Sequence, residues 1–199
     1  LKLDVRKYFD SIPHENLKQS ISKIFIDKPL LNLKNKIIDT YSGLKQHTGV
    51  PIGNLTSQYW ANHYLAQADH YIYEQLHCKG YVRYMDDMLI FENNKQALLN
   101  IGKAFNEFIS TKLNLVLKPF VLNKISYGIP FLSYKVYANG IGLSQKAKRR
   151  FSQKNRLYNF NFDNQIWDEK KYISHLQPLV SFINKAKCYH FKQKQFNYE

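Results

Sequence analysis

Asp86 and Asp87 stand between two apolar and aromatic runs, Tyr81-Val82-Arg83-Tyr84-Met85 and Met88-Leu89-Ile90-Phe91. Such runs favour strands, and Asp favours the turn between them. The stretch therefore predicts a hairpin with two carboxylates at its tip. Burying strands around a doubly charged tip is costly unless something neutralises it, and a divalent cation would do so. A further carboxylate, Asp4, lies near the end of Leu1-Lys2-Leu3-Asp4-Val5, whose alternation reads as a strand. If the strands are neighbours, the carboxylates converge at one end of a sheet. Magnesium takes oxygen ligands, few of them from protein, and keeps waters or substrate phosphates for the rest. Carboxylates plus a triphosphate suit a two-metal site with ions roughly 4 Å apart. Phosphoryl transfer there is mostly positioning and charge neutralisation. Read in isolation, an Asp-Asp pair is an exposed turn; what accompanies it decides.

The elements that must hold these groups follow in order. After the first strand, Pro13 suits the first turn of a helix, with Leu17, Ile21, Ile24 and Phe25 as its apolar face. A second helix is expected from about Leu30 to Tyr41. His47 to Asn54 is a loop punctuated by Gly49, Pro51 and Gly53. Asn54 can cap the next helix, expected from Leu55 to about Leu76 and ended by Gly80. Ala97 to Leu113 reads as another amphipathic helix, and Leu115 to Ser126 as strand plus turn. Asn139-Gly140 between apolar runs signals a hairpin over 131–143. From Ser144 the composition turns basic, with helices expected over Ser144–Arg156 and over Trp167–Lys187, the latter interrupted by Pro178. The tail to Glu199 is polar and basic. The order fits an α+β fold, an antiparallel sheet backed by helices, with domains at 1–143 and 144–199.

Totals bound the function class. Hydrophobic residues make up 44% of the 199, with 15 Tyr and 13 Phe, so a core can form. There are 29 Lys and Arg against 15 Asp and Glu, a net charge of +14. That excess points to a polyanionic partner, nucleic acid or an anionic membrane surface, or to simple solubility. No apolar run is long enough to span a bilayer, and there is no signal peptide. Cys78 and Cys188 lie far apart without metal-type spacing, which points to a reducing, cytoplasmic setting. The chain starts at Leu1, within the expected strand, as a fragment lacking its N-terminal portion would.

Four motifs in order carry a resemblance. Tyr84-Met85-Asp86-Asp87 resembles the YxDD box of reverse transcriptases, and Asp4-Val5-Arg6-Lys7-Tyr8-Phe9-Asp10 their first palm motif. Gly49 to Gln58 resembles their second palm motif, and Phe131-Leu132-Ser133-Tyr134 the FLG primer grip, with Ser133 where Gly is usual. Within the second motif, Ile52-Gly53-Asn54-Leu55-Thr56-Ser57-Gln58 resembles the variant of diversity-generating retroelement enzymes, a branch similar to the group II intron type. The resemblance covers residues 1–143 well and the rest loosely, as a partial helical thumb.

The resemblance implies roles. Asp4, Asp86 and Asp87 would be the catalytic metal ligands for two Mg²⁺ ions, with Mn²⁺ as a substitute. The backbone at Val5 and Arg6 would approach the triphosphate. Phe9 would be the steric gate that excludes a ribose 2′-OH; without its motif it is equally a core aromatic. Tyr84 would pack beneath the primer end, Gly53 would admit the nucleotide closely, and Ser57 and Gln58 would start the helix behind it. Ile52 would lie near the templating base; an aliphatic side chain offers no hydrogen bond there, so geometry is policed less tightly. Otherwise Ile52 is a core residue. Lys118, or in its place Lys124, would protonate pyrophosphate, or is a solvated lysine. Lys146, Lys148, Arg149 and Arg150 would contact phosphate backbone, and Phe151, Tyr158 and Phe160 would stack on bases or form the core of a small thumb. Implied partners are an RNA template, a cDNA primer, dNTPs and a small basic accessory protein. In this family the fingers precede the first palm motif, so they would lie upstream of Leu1, and the 199 residues alone would extend primers poorly. The alternatives are a non-catalytic RNA-binding or maturase-like module, or a group II intron, retron or defence-associated enzyme.

Overall fold

A computed structural model describes residues 1–196. The chain forms two compact units, Leu1–Leu122 and Asn123–Glu199. This division marks where packing changes; the shift to basic composition near residue 144 marks where charge does.

Unit 1 runs β1 (Lys2–Asp4), α1 (Tyr8–Ser11), α2 (His14–Ser22), α3 (Lys28–Asp39), α4 (Leu55–Tyr71), β2 (Gly80–Tyr84), β3 (Asp87–Phe91) and α5 (Lys95–Lys112). The three strands form an antiparallel sheet in the order β1-β3-β2. Leu3, Met88 and Ile90 are buried, while Val82 and Tyr84 are exposed. Side chains alternate across a strand, so one sheet face carries the core and the other is largely open. Trp60, Tyr64, Leu65 and Ala68 of α4 and Phe105 and Ile109 of α5 are buried in the same core as Leu3 and Met88. Tyr71 of α4 and Phe108 of α5 stack with centroids 4.1 Å apart.

Local chemistry explains where the expectations shift. Pro13 is the residue before α2 rather than its first turn. Asp27 caps α3, accepting from the Leu30 N–H at 2.7 Å, so that helix starts earlier than its apolar pattern suggests. Asn54 stands before α4 without a side-chain capping bond. The last turn of that helix widens to a π-helical turn over Ile72–Leu76. Residues 115–121 form only isolated bridges to the outer edge of β1, Lys2 to Val121 and Val5 to Leu117. Pro119 between them has no N–H to give a ladder.

Unit 2 contains β4 (Ile129–Phe131), β5 (Tyr134–Tyr137), β6 (Gly140–Leu143), α6 (Gln145–Asp163), α7 (Glu169–Asn184) and α8 (Tyr189–Phe196). The strands form their own antiparallel sheet, β4-β5-β6. The β5–β6 turn falls on Ala138-Asn139, one residue before the expected pair, because Tyr137 pairs with Gly140. Pro178 does not interrupt α7, which runs through it. The tail is helical as α8, to the last described residue. Leu143, Ala147, Phe151, Ile183 and Ala186 make a small core.

Leu132 and Ser133 turn β4 into β5 with φ of 48° and 72°. A side chain is disfavoured there and glycine is not. Ser133→Gly is expected to stabilise unit 2 by about 0.5–1 kcal/mol. Urea unfolding reads this out, and a lowered midpoint would contradict the strain.

Candidate active site

Asp4 pairs with Asp87, and Asp87 pairs with Tyr84 on its other side. Paired residues share a sheet face, so Asp4, Asp87 and Tyr84 form a row across three strands at one end of the sheet. The row lies on the open face. Asp4 and Asp87 side chains are 28% and 26% exposed, and Tyr84 is exposed. Asp86 lies in the two-residue turn with Met85, whose φ is 54°. Its carboxyl is held above the ordinary carboxylate range, first by burial and then by the charges of Asp4 and Asp87, with Lys118 opposing. The carboxylates are therefore close enough to repel, as a cation-binding cluster requires.

Two lysines partly offset that repulsion. Lys118 Nζ lies 2.7 Å from Asp4 Oδ2, and the Lys118 backbone N–H donates to the Asp4 carbonyl at 2.8 Å. Lys2 Nζ lies 3.1 Å from Asp87 Oδ1. Asp4 Oδ1 is buried with no hydrogen-bond partner, an acceptor whose lost hydration is uncompensated. Among the described residues, no group of three or more His, Cys, Asp or Glu side chains is arranged to hold a metal ion. The donor chemistry nevertheless suits a hard divalent cation: carboxylate oxygens alone, one of them orphaned, with mutual repulsion to relieve.

The turn is braced from behind. Arg83 lies on the opposite face to Tyr84, its side chain 10% exposed. Its Nε donates to Asp69 Oδ1 at 2.6 Å, and its Nη2 forms an ion pair with Asp69 Oδ2. Nη1 donates to Asn62 Oδ1 at 2.6 Å and to the Met85 carbonyl at 3.1 Å. Tyr81 Oη donates to Asp69 Oδ1 at 2.8 Å. One guanidinium thus pins the turn backbone to two positions on α4. Sequence reading missed Arg83, Asp69 and Asn62. The available signal was an arginine set among the aromatic and apolar residues of an expected strand, which needs an anionic partner if buried.

The glycine-punctuated loop sits against α1. Val50 N–H donates to the Phe9 carbonyl at 2.8 Å, and Gly49 N–H to the Ile12 carbonyl at 2.7 Å. The ring of buried His14 hydrogen-bonds the Gly49 carbonyl at 2.8 Å. A Cβ on Gly43 would meet the Asp10 carbonyl oxygen at 2.2 Å, so only glycine fits that approach. These bonds bring Phe9 and the loop together. Phe9 is half-buried, with its ring edge-on to Tyr8 at 5.8 Å. Ile52 is 74% exposed, so it is not a core residue. Gly53 has φ of 103°, and nothing lies within 4 Å of where its Cβ would be. Ser57 is fully buried with its hydroxyl unpartnered, and Gln58 is exposed. Val5 is in the core, and the Arg6 amide donates to the Val116 carbonyl at 2.8 Å. The Arg6 amide of the backbone expected to approach a triphosphate is thus engaged within the chain.

In unit 2, Lys146, Arg149 and Arg150 are exposed on α6. Lys148 lies over the Phe191 ring at 5.6 Å. Phe151 is core, Tyr158 packs on Trp167 and His175, and Phe160 is exposed. Lys124 is exposed. No described helix is long and apolar enough to cross a membrane.

Residues 1–135 match the family model described as "Reverse transcriptase (RNA-dependent DNA polymerase)". Among solved structures, the chain is similar to telomerase from Candida tropicalis in complex with a TWJ fragment of telomeric RNA. The TM-score is 0.55 and the identity 14%, over 100% of this chain and 40% of that one. It is also similar to Candida tropicalis apo telomerase truncated from the C-terminal domain, with a TM-score of 0.51 and 15% identity over 72% and 35%. For the Candida albicans telomerase complex the TM-score is 0.52 and the identity 10%, over 99% and 40%. At these identities the likeness is one of fold. The chain spans 35% to 40% of the length of these structures.

Proposed function

Because the chain belongs to the reverse transcriptase family, we propose that it supplies the palm and a partial thumb of an RNA-directed DNA polymerase. The observation that carries this is the row Asp4–Asp87–Tyr84 on the open sheet face, with Asp86 at the adjoining turn. Asp4, Asp86 and Asp87 would hold the metal ions, Mg²⁺ or Mn²⁺. Bound there, such ions would lower the pKa of a primer hydroxyl and neutralise a leaving pyrophosphate. The chain's own groups do the rest. Tyr84, exposed beside Asp87, supports a primer end. Phe9, tied to the loop through its carbonyl, limits the space at the sugar. Lys118, paired with Asp4, would protonate a leaving phosphate oxygen. The expected partners are an RNA template, a cDNA primer and dNTPs, with α6 contacting phosphates, and the setting is cytoplasmic.

The finer reading is an error-prone copyist of a template-repeat RNA in a diversity-generating retroelement, of the group II intron-like branch, working with a small basic accessory protein. Its support is Ile52, an exposed aliphatic residue in the loop beside Phe9. Ile52→Gln, which introduces a hydrogen-bonding side chain, is expected to lower misincorporation several-fold in a sequenced cDNA product. Unchanged error frequencies would detach Ile52 from fidelity.

A second reading has one observation behind it. The ion pairs Lys118–Asp4 and Lys2–Asp87 already offset part of the acidic charge, as in a palm that binds nucleic acid without chemistry. Calorimetric titration with Mg²⁺ and Mn²⁺ separates the two. Binding at the acidic cluster supports the polymerase, and none supports the non-catalytic module.

A further inference from the structure

Unit 2 holds a cleft of about 430 Å³ between α6 and α7, and two of its lining residues, Arg150 and Tyr158, are ones the polymerase reading already sets toward nucleic acid. Its size lies in the range of small-molecule sites. Along α6, Arg150, Lys154 and Tyr158 recur every fourth residue, so they share one side of the helix. Across from them, α7 contributes Ser174, His175 and Pro178. Phe151, Leu179 and Phe182 supply the apolar part of the lining.

Among the described residues, neither Arg150 nor Lys154 forms an ion pair. Residues 123–199 contain 14 Lys and Arg against four Asp and Glu. Every ion pair among the described residues lies in unit 1. Lys148, one step along the helix, rests over Phe191 instead, and it does not line the cleft. Arg150 and Lys154 are exposed at the cleft, one helical turn apart.

The other groups are set for a planar, polar ligand. His175 Nδ1–H donates to the Lys171 carbonyl at 2.8 Å, which leaves Nε2 as the ring's free nitrogen. Its ring meets Trp167 at 4.5 Å and Tyr158 at 5.6 Å, fixing the Tyr158 ring in place. Pro178 has no N–H for the Ser174 carbonyl four residues earlier, so that bond of the helix ladder is missing beside the cleft.

We propose that this cleft binds a nucleoside monophosphate unit, its phosphate on Arg150 and Lys154 and its base against Tyr158 and the apolar lining. The unit comes either from free nucleotide or from an unpaired residue of a strand.

The test is calorimetry on the whole chain in EDTA, which removes metal-dependent nucleotide binding by the acidic cluster. The probes are adenosine monophosphate, adenosine, inorganic phosphate and a 5′-phosphorylated single-stranded hexanucleotide. Adenosine and inorganic phosphate are each expected to bind at least tenfold more weakly than the monophosphate. Arg150→Gln, Lys154→Gln and Tyr158→Leu are each expected to weaken it at least fivefold. Lys170→Gln, the same charge change elsewhere in the unit, is expected to leave it unchanged. A hexanucleotide bound more tightly than the monophosphate, and weakened by Arg150→Gln, assigns the source to a strand; equal affinities assign it to free nucleotide. No binding of either probe overturns the proposal. So does equal weakening by Lys170→Gln, which would mark general electrostatics, or phosphate alone binding as tightly as the nucleotide.

Discussion

Asp86→Asn is expected to abolish primer extension, lowering it about 1,000-fold or more, as removal of a preorganised electrostatic group does. The same variant is expected to unfold at a higher temperature than the parent when no metal is present. The sign follows from its environment. Burial, then Asp4 and Asp87, raise the Asp86 carboxyl above its ordinary range in the folded state. A raised acid favours folding in its protonated form and costs stability once ionised. At neutral pH the charged form therefore works against the fold, and a neutral amide of the same shape relieves it. Millimolar Mg²⁺ should stabilise the parent by mass action and leave the variant nearly unmoved. Differential scanning fluorimetry with and without Mg²⁺, beside a primer-extension assay, checks both. Primer extension is measured on a longer natural protein containing these residues, and the fluorimetry on this chain. A variant that still extends primers, or that gains as much stability from Mg²⁺ as the parent, removes Asp86 from the metal site.

Asp69→Ala should produce the largest loss of stability, roughly 2–3 kcal/mol. Deleting one partner of a fully buried ion pair costs about 3–5 kcal/mol because the other charge is left unpaired. Asp69 retains some solvent access, so the lower figure is appropriate. The loss also strips Tyr81 Oη of its acceptor. Activity should fall further than stability explains, because Arg83 also holds the Met85 carbonyl beside Asp86. Urea unfolding, with activity measured well below the midpoint, separates these effects. Asp69→Asn, which keeps the shape and an acceptor, should recover part of both. A loss below about 0.5 kcal/mol, the level of ordinary surface changes, would show that the brace is not structural.

Much of the palm was legible because its signals are local. The hairpin is written in its apolar runs and acidic turn, and the Asp4 strand in its alternation. The antiparallel α+β architecture followed from their order, and it is what the chain adopts. What could not be read depends on long-range partners. Arg83 gave no hint that its acceptors lie 14 and 21 residues earlier on a helix. The segment 115–121 looked like a strand from its apolar residues, but Pro119 limits it to isolated bridges. Pro178 looked like a helix break, yet α7 continues through it. Ile52 could have been core or site from its type alone; only its exposure decides.

Helix α4 sets one further constraint. It begins just after the Ile52–Asn54 loop, and at Asn62 and Asp69 it grips Arg83 and, through it, the acidic turn. From Leu55 to Asp69 the axis spans about 21 Å at 1.5 Å per residue. The helix thus acts as a ruler that fixes how far the loop sits from the carboxylates, and in what rotational phase. A single residue inserted between Ser57 and Asn62 would lengthen it by about 1.5 Å and turn its two ends by about 100° relative to each other. Either the loop or the turn would then lose its seat. Length here is under tighter physical control than composition: exposed positions such as Tyr59 can change in chemistry, but their number cannot.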